Sequence, residues 1–314
     1  MRELVFRGGW IAAAWLLSAG CGSGSECGRQ LQVVGRYDAL PPATEGIDVA
    51  AGRAYIATGD ALVILDVSQP SAPSLVSSTD LSGFGDRVAF DAGYAYVGSQ
   101  TSAYSVVDCR NEASPSVVGS LGVDGLDVEA RGGRVYLVTL LHLRIVDVAD
   151  PTQPMLLSET EVGSTIRALA VQGNHAFIAD SSGLIVVDVT APGTPAEVGA
   201  LAISHATDLA FAGELLLVAA RSGGVRVIDV STPSAPVEVG SYSTDLDARR
   251  VTAEGDLGYA GGMSGIRAID LADPASPRPL AELQTFPAEL VAQGGVLFVM
   301  TDLRGLEIVQ GACR

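Results

Sequence analysis

Charged residues recur through this chain about every forty residues, each at or just before a short apolar segment. They are Glu45, Asp86, Arg87, Asp127, Arg167, Asp208, Arg249, Arg250 and Glu289. Carboxylates gathered in one place can serve as general acid and base, and glycoside hydrolysis uses two carboxyl groups roughly 5 to 9.5 Å apart. A mixed ring of carboxylates and guanidiniums instead suits a polar ligand or a partner's side chain. Either chemistry needs a frame that brings these distant positions together.

A repeat supplies that frame. The segment LVILDVSQPSAP, from Leu62, returns in six variants, the last cut short, that begin at Tyr104, Leu143, Leu184, Val225, Ile266 and Leu306. The aspartates shared by the first six copies are 42, 39, 41, 41 and 41 residues apart, a period in the range of four-stranded propeller blades. The seven copies predict an all-β fold, a single seven-bladed β-propeller over residues 32–314.

Each period has the pattern of strands. Apolar runs of about five or six residues, bounded by Gly, Pro, Ser and Asp, are typical of strands buried on both faces, as in stacked blades. The nine charged residues above then lie at the start of the seven inner strands, where they would form a channel-mouth face. The alternative is a set of solvated rim charges that pair with one another.

The core Leu/Ile-x-Ile/Val-Val/Ile-Asp-Val of these copies resembles the LVIVD repeat, which occurs in β-propellers of exported bacterial and archaeal proteins. The resemblance extends from about residue 32 to residue 310. It implies a surface-exposed scaffold and no common activity.

The chain ends predict how the ring closes. The seventh copy lacks a fourth strand, whereas QVVGRY, residues 32–37, matches the fourth strand VEVGSY but has no strands before it. The N-terminal strand therefore completes the last blade and removes an exposed edge. On the repeat template Cys27 and Cys313 fall on one position, which predicts a disulfide suited to an oxidising compartment; two free cysteines are the alternative.

The first twenty residues have the pattern of an export signal. Arg2 and Arg7 precede a short apolar run, and Ser18-Ala19-Gly20 leads into Cys21, so the segment resembles a bacterial lipoprotein signal. Residues 1–20 would be removed, Cys21 lipidated, and residues 21–31 would tether the domain to the membrane of the cell envelope, in the periplasm or at the cell surface. An ordinary cleavable signal is the alternative.

Composition excludes several function classes. The chain has a formal net charge of −17, and all 19 of its basic residues are arginine. This surface repels nucleic acid, and the absence of lysine excludes Schiff-base and P-loop chemistry. Both tryptophans lie in the signal. We expect no cofactor, a monomer, and an envelope or extracellular protein or a polar ligand as partner.

Other residues that could do chemistry have simpler interpretations. Each repeated aspartate precedes a turn and can accept hydrogen bonds from the backbone amides of that turn. Cys109 occupies a repeat position otherwise filled by Val or Leu, so we expect a buried thiol. The three histidines, His142, His175 and His205, lack zinc-site spacing. Asp245 and Asp247 lie close together in the sequence and leave calcium binding as an alternative, although the EF-hand pattern is absent.

Two functional classes follow. The favoured one is a non-catalytic binding scaffold that uses the channel-mouth face. The other is an enzyme, a hydrolase or lyase acting on a glycan with Asp127, Asp208 or Glu289 as acid and base. A deep pocket with paired carboxylates and shifted pKa values would favour the enzyme, and a shallow or plugged face would favour the binder.

Overall fold

The blades predicted from the repeat are present in the structure. A computed structural model describes residues 27–41, 46–301 and 305–313, and its 28 strands form seven four-stranded antiparallel sheets arranged in a ring. The protein is a seven-bladed β-propeller, as predicted. No helix long and apolar enough to cross a membrane is found among these residues.

Each blade contributes one strand to each of four concentric positions. The inner strands are β2 (Gly46–Ala50), β6 (Arg87–Asp91), β10 (Asp127–Arg131), β14 (Ile166–Gln172), β18 (Asp208–Ala212), β22 (Arg250–Glu254) and β26 (Pro287–Gln293). The second strands are β3 (Arg53–Ala57), β7 (Tyr94–Ser99), β11 (Arg134–Val138), β15 (His175–Asp180), β19 (Leu215–Ala219), β23 (Leu257–Gly262) and β27 (Val296–Thr301). The third strands are β4 (Gly59–Asp66), β8 (Ser102–Asp108), β12 (His142–Asp147), β16 (Gly183–Asp188), β20 (Val225–Asp229), β24 (Gly265–Asp270) and β28 (Gly305–Cys313). The outer strands are β5 (Ser74–Gly85), β9 (Ser116–Ser120), β13 (Met155–Glu161), β17 (Ala196–Ala202), β21 (Val237–Tyr242), β25 (Arg278–Leu283) and β1 (Cys27–Tyr37).

The hydrophobic core lies between blades rather than at the centre of the ring. In β4, Leu62 and Ile64 pack toward the second blade, while Val63 and Leu65 pack toward the seventh. Successive side chains of a strand point to opposite faces, so a strand packed on both faces needs a continuous apolar run. Each of the seven junctions has its own apolar cluster, which explains why the third-strand motif is the best preserved part of each copy.

Outer-strand glycines let one blade approach the next. A Cβ added to Gly240 would lie 2.0 Å from the carbonyl oxygen of Pro274, in the turn of the following blade. Gly35, in the N-terminal strand β1, would meet the carbonyl oxygen of Pro70 at 1.9 Å in the same way. The N-terminal strand therefore packs against the first blade as other outer strands pack against their neighbours.

The repeated aspartates set the turn between the third and outer strands. Each accepts a hydrogen bond at Oδ1 from the backbone amide two residues later, at 2.8–3.0 Å. The six are Asp66, Asp108, Asp147, Asp188, Asp229 and Asp270. Their structural interpretation is confirmed.

The ring closes through β1, which pairs with β28 in the last blade as predicted. The strand begins at Cys27, not at residue 32, because β28 extends to Cys313 and supplies backbone partners that far. Cys27 and Cys313 are direct partners in this register, while their side chains lie outside the described part. Residues 1–26, which include the expected signal and Cys21, also lie outside it.

Candidate functional site

The seven inner strands line a central cavity of about 330 Å³. Six of the charged residues named in the sequence analysis lie at its wall, each among the first three residues of its inner strand: Arg87, Asp127, Arg167, Asp208, Arg250 and Glu289. The structure therefore brings six of the nine charged residues from the sequence together in one channel. Of these, Arg167 is exposed and also lines a second cavity at the channel mouth.

The other three are not among the described residues that line this cavity. Glu45 is outside the described residues. Asp86 precedes β6, and its carbonyl oxygen accepts from Arg87 Nη1 at 2.8 Å. Arg249 is bound instead by the carboxylate of Asp247, at 2.7 Å from Nη2 and 2.9 Å from Nε.

Two carboxylates of the channel were missed in the sequence. Asp48 in β2 and Glu129 in β10 line the same cavity, two positions deeper than the first ring of charges. The signal was present, because side chains two residues apart in a strand share a face. Glu129 follows Asp127 in that way, so the position of Asp127 in the repeat also places Glu129 on the channel side.

Three of the channel aspartates join adjacent blades. Asp127 accepts from its neighbour Val128 N at 3.0 Å and from Leu169 N, in the next inner strand, at 2.8 Å. Asp208 does the same with Leu209 N at 3.0 Å and Val251 N at 2.8 Å. An inner strand has no sheet partner on its channel side, so its outward amides need acceptors. These carboxylates provide them.

Asp48 repeats the arrangement one level deeper. Its oxygens accept from Val49 N at 2.7 Å and from Phe90 N of the second blade at 2.8 Å. Between the sixth and seventh blades, the hydroxyl of Thr252 accepts a hydrogen bond from Ala292 N at 3.1 Å. Short acceptor side chains thus fasten inner strands at several places around the channel.

An ion pair occupies the part of the channel between the sixth and seventh blades. Arg250 Nε lies 3.4 Å from a carboxylate oxygen of Glu289 and donates to the carbonyl oxygen of Ala288 at 2.6 Å. Both side chains are largely shielded from solvent, so the pair is a fixed part of the wall and fastens these two blades as well.

Burial changes the proton affinity of the channel carboxylates. It raises the pKa of Asp48 and of Asp127 to about 6, against the hydrogen bonds that lower both. Burial, together with the charge of Asp127, raises the pKa of Glu129 to about 8. Burial and the charge of Glu289 also raise the pKa of Asp208. The channel therefore holds protons at pH values where exposed carboxylates are ionised.

Residues considered for metal binding or nucleophilic chemistry are engaged elsewhere. Asp245 pairs with Arg267 at 3.0 Å, and Asp247 with Arg249, so the two carboxylates considered for calcium each serve a different arginine. The described chain contains no group of three metal-ligating side chains able to hold an ion. Cys109 is 2% exposed, and burial raises its pKa to about 12, which confirms a buried thiol.

The loops around the channel mouth expose large apolar side chains. Phe84, at the end of the long outer strand β5, and Phe286, in a loop, precede inner strands. Leu140 and Met263 lie between second and third strands, and all four are on the same face of the ring. Their exposed fractions are 48%, 68%, 51% and 61%, respectively. Single exposed apolar residues are ordinary, but several on one loop face are typical of a contact surface.

The fold and the site define a seven-bladed β-propeller with a charged central channel and a partly apolar mouth. A family model described as the LVIVD repeat matches residues 43–80, 82–123, 124–161, 163–202 and 204–244. The chain belongs to this family, as the sequence resemblance indicated.

Solved structures share the fold at low sequence identity. The crystal structure of BamB from Moraxella catarrhalis is 15% identical, with a TM-score of 0.60, over 85% of this chain and 83% of that one. The computationally designed Ika8 protein is 12% identical, with a TM-score of 0.61, over 88% and 99%. At these identities the likeness is one of fold alone. No curated protein matches the sequence.

Proposed function

We propose that this protein is a non-catalytic binding scaffold that docks a partner protein on its channel-mouth face. The observation that carries the proposal is the set of apolar side chains exposed on the mouth loops, Phe84, Leu140, Met263 and Phe286. Aromatic and aliphatic anchors of this kind dominate the energy of protein interfaces. Charged residues of the mouth surround them and would form the polar rim.

The channel carboxylates support a scaffold in a second way. Asp48, Asp127 and Asp208 each use both oxygens to hold backbone amides of two blades. If one of these carboxylates moved away, each backbone amide that it accepts from would lose its hydrogen bond, at a cost of about 1–3 kcal/mol per amide. Their burial in the channel is explained by the ring itself.

Affinity capture from envelope extracts with the full chain tests this proposal. The variant combines Leu140→Ser with Phe286→Ser, and the matched control combines Leu75→Ser with Val237→Ser on the outer strands, where both residues are also more than half exposed. We expect a protein that wild type and control retain and that the mouth variant loses. Equal recovery by all three would contradict docking at the mouth.

We further propose that the protein is exported and anchored to the cell envelope by lipid at Cys21, with residues 1–20 removed. The sequence Ser18-Ala19-Gly20-Cys21 supports this address. Mass spectrometry of the mature N-terminus should find a diacylated Cys21, and Cys21→Ala should release the protein into the soluble fraction. An unmodified N-terminus at any other residue would contradict the anchor.

An oxidising compartment would allow a disulfide between Cys27 and Cys313, which we propose as a covalent lock on the ring. The two residues are directly opposed in an antiparallel pair, where Cα atoms lie about 4.5–5.5 Å apart, within the span of a disulfide. A crosslink closing so long a loop stabilises a fold by about 4–5 kcal/mol in the chain-entropy model. Peptide mapping without reductant should recover the two peptides joined; alkylation of both thiols in the folded protein would refute the bond.

The second candidate function is cleavage of a glycan by a hydrolase or lyase reaction. The cavity and the raised pKa of Asp208 beside Glu289 favour it, since a proton donor must stay protonated near neutral pH. The assay is release of reducing ends or unsaturated products from envelope glycans, with Asp208→Asn beside wild type. Product release by wild type that Asp208→Asn abolishes would establish the enzyme; the binding scaffold predicts none from either protein.

A further inference from the structure

A second cavity opens on the mouth between the fourth, fifth and sixth blades. Its volume is about 290 Å³. Its lining contains two guanidiniums, one imidazole and three hydroxyls. Asp247 contributes the single carboxylate of the lining. The donors belong to Arg167, Arg221, His205, Ser181, Thr207 and Ser222.

The charge of this cavity is unusual for such an acidic protein. Most arginines of the described chain lie against carboxylates, as in the pairs of Arg53 with Glu112 and Arg110 with Asp108. No ion pair to Arg167 or Arg221 is formed by any residue that the structure describes. The carboxylate of Asp247 is already neutralised by Arg249. The wall of the cavity therefore has two guanidiniums that no described carboxylate pairs with directly, and one of them, Arg167, also lines the central channel.

The backbone of the cavity is held in an uncommon conformation. His205, Arg221 and Asp247 have φ values of 61°, 48° and 55°, in the left-handed region that residues other than glycine rarely adopt. Within the described ranges, the other non-glycine residues with positive φ are Ala51 and Ala92, and each precedes a glycine in a tight hairpin turn, which accounts for its conformation. Left-handed residues gathered around one cavity instead mark a site whose geometry is imposed by its surroundings.

Hydrogen bonds between loops impose that geometry. His205 N donates to the carbonyl oxygen of Ser181 at 3.2 Å, and Arg221 and Ala248 exchange a pair of backbone bonds at 2.9 and 3.1 Å. These bonds tie loops of three adjacent blades to one another. The cavity is thus formed before any ligand arrives, which lowers the entropic cost of binding.

A buried aspartate organises the loops on one side. Asp180 is fully buried and accepts from the amides of Ser164, Thr165 and Ser182 at 2.7–3.0 Å. Although burial opposes it, these hydrogen bonds lower the pKa of Asp180 to about 2. Asp180 fixes the loop that presents Ser181 against the loop that leads to Arg167.

We propose that this cavity binds a compact dianion of the phosphate or dicarboxylate class, held by the guanidiniums of Arg167 and Arg221 and by the surrounding hydroxyls. Guanidinium groups form bidentate, charge-assisted hydrogen bonds with such oxyanions. The inference goes beyond the proposed function, because a small anion can occupy the cavity with no protein docked at the mouth.

Isothermal titration of the full chain in a zwitterionic buffer at constant ionic strength tests it. Inorganic phosphate and succinate are the two probes, and sodium chloride is the blank. We expect saturable heat from at least one probe; phosphate alone would assign the phosphate class, and succinate alone the dicarboxylate class. Absence of saturable heat from both probes overturns the site.

Variants locate the binding. Arg167→Gln and Arg221→Gln should each weaken binding by about tenfold or more, the effect of losing a charge-assisted hydrogen bond. Arg278→Gln, an exposed arginine of the outer strand β25, is the matched control and should bind as wild type does. Arg167 is exposed, so its variant keeps the test valid even if Arg221→Gln fails to fold. Wild-type affinity in Arg167→Gln would place any anion elsewhere and refute the proposal.

Discussion

Loss of Arg36 should weaken the closure of the ring. The carboxylate of Glu307 is 1% exposed, and Arg36 reaches it from the N-terminal strand at 3.1 Å with its own side chain 48% exposed. The hydroxyl of Thr285 donates to the other carboxylate oxygen at 3.0 Å. Removing one partner of a buried pair costs about 3–5 kcal/mol. Because half of Arg36 is in solvent, we expect about 2–3 kcal/mol for Arg36→Gln.

Urea unfolding followed by circular dichroism measures this cost. The matched control is Arg226→Gln, which removes a pair with Glu238 in the fifth blade. The two side chains of that pair are 32% and 37% exposed, so its loss should cost less than about 1 kcal/mol. A loss from Arg36→Gln no larger than that of the control would refute the reasoning.

A charge exchange separates the ion pair from simple packing. In the third and sixth blades the arginine stands on the third strand and the glutamate on the outer strand, as in Arg144–Glu159 and Arg267–Glu282. The last blade has the reverse order, with Arg36 on the outer strand. The double variant Arg36→Glu with Glu307→Arg restores the common order and should recover most of the stability lost by Arg36→Glu alone.

Two further predictions concern packing and proton binding. Gly240→Ala drives a Cβ into the Pro274 carbonyl and should cost about 1–3 kcal/mol in urea unfolding, whereas Gly193→Ala meets open space and should change stability by less than about 0.5 kcal/mol; equal losses would contradict the close approach. The pKa of Glu129 is about 8 in the fold and about 4 in an unfolded chain, so between those pH values the folded state holds a proton that the unfolded state has released, and the contribution of Glu129 to stability falls as pH rises. The free energy of unfolding of Glu129→Gln relative to wild type should therefore be higher at pH 8 than at pH 5. The exposed control Glu197→Gln should differ from wild type by the same amount at both pH values. A pH-independent effect of Glu129→Gln would contradict the raised pKa.

The architecture could be predicted because the repeat encodes it locally. Each copy carries its own turn aspartate, its apolar third strand and its turn prolines, so the number of blades follows from the number of copies. The strand exchange could be predicted because the missing and the extra strand fit one template. The start of β1 at Cys27 could not, because residues before 32 do not repeat the outer-strand pattern and are ordered by their pairing with β28.

The site was predicted only in part. Inner-strand starts gave the channel charges, since their position in the template fixes their place in the ring. The separation of Arg249 from Arg250 depends on the left-handed backbone of Asp247, which no pattern of residue types indicates. Arg221 was missed for a similar reason: the contact between its loop and Ala248 of the next blade is a product of blade packing.

Hydrogen–deuterium exchange of the full chain, with and without its captured partner, tests the central claim most directly. Docking at the channel mouth predicts slowed exchange in four mouth segments, namely residues 81–86 at the end of β5 and the loop residues 139–141, 263–264 and 284–286. It predicts unchanged exchange in the outer strands β9, β17 and β21. Protection confined to the outer strands, with the mouth segments unaffected, would contradict the account.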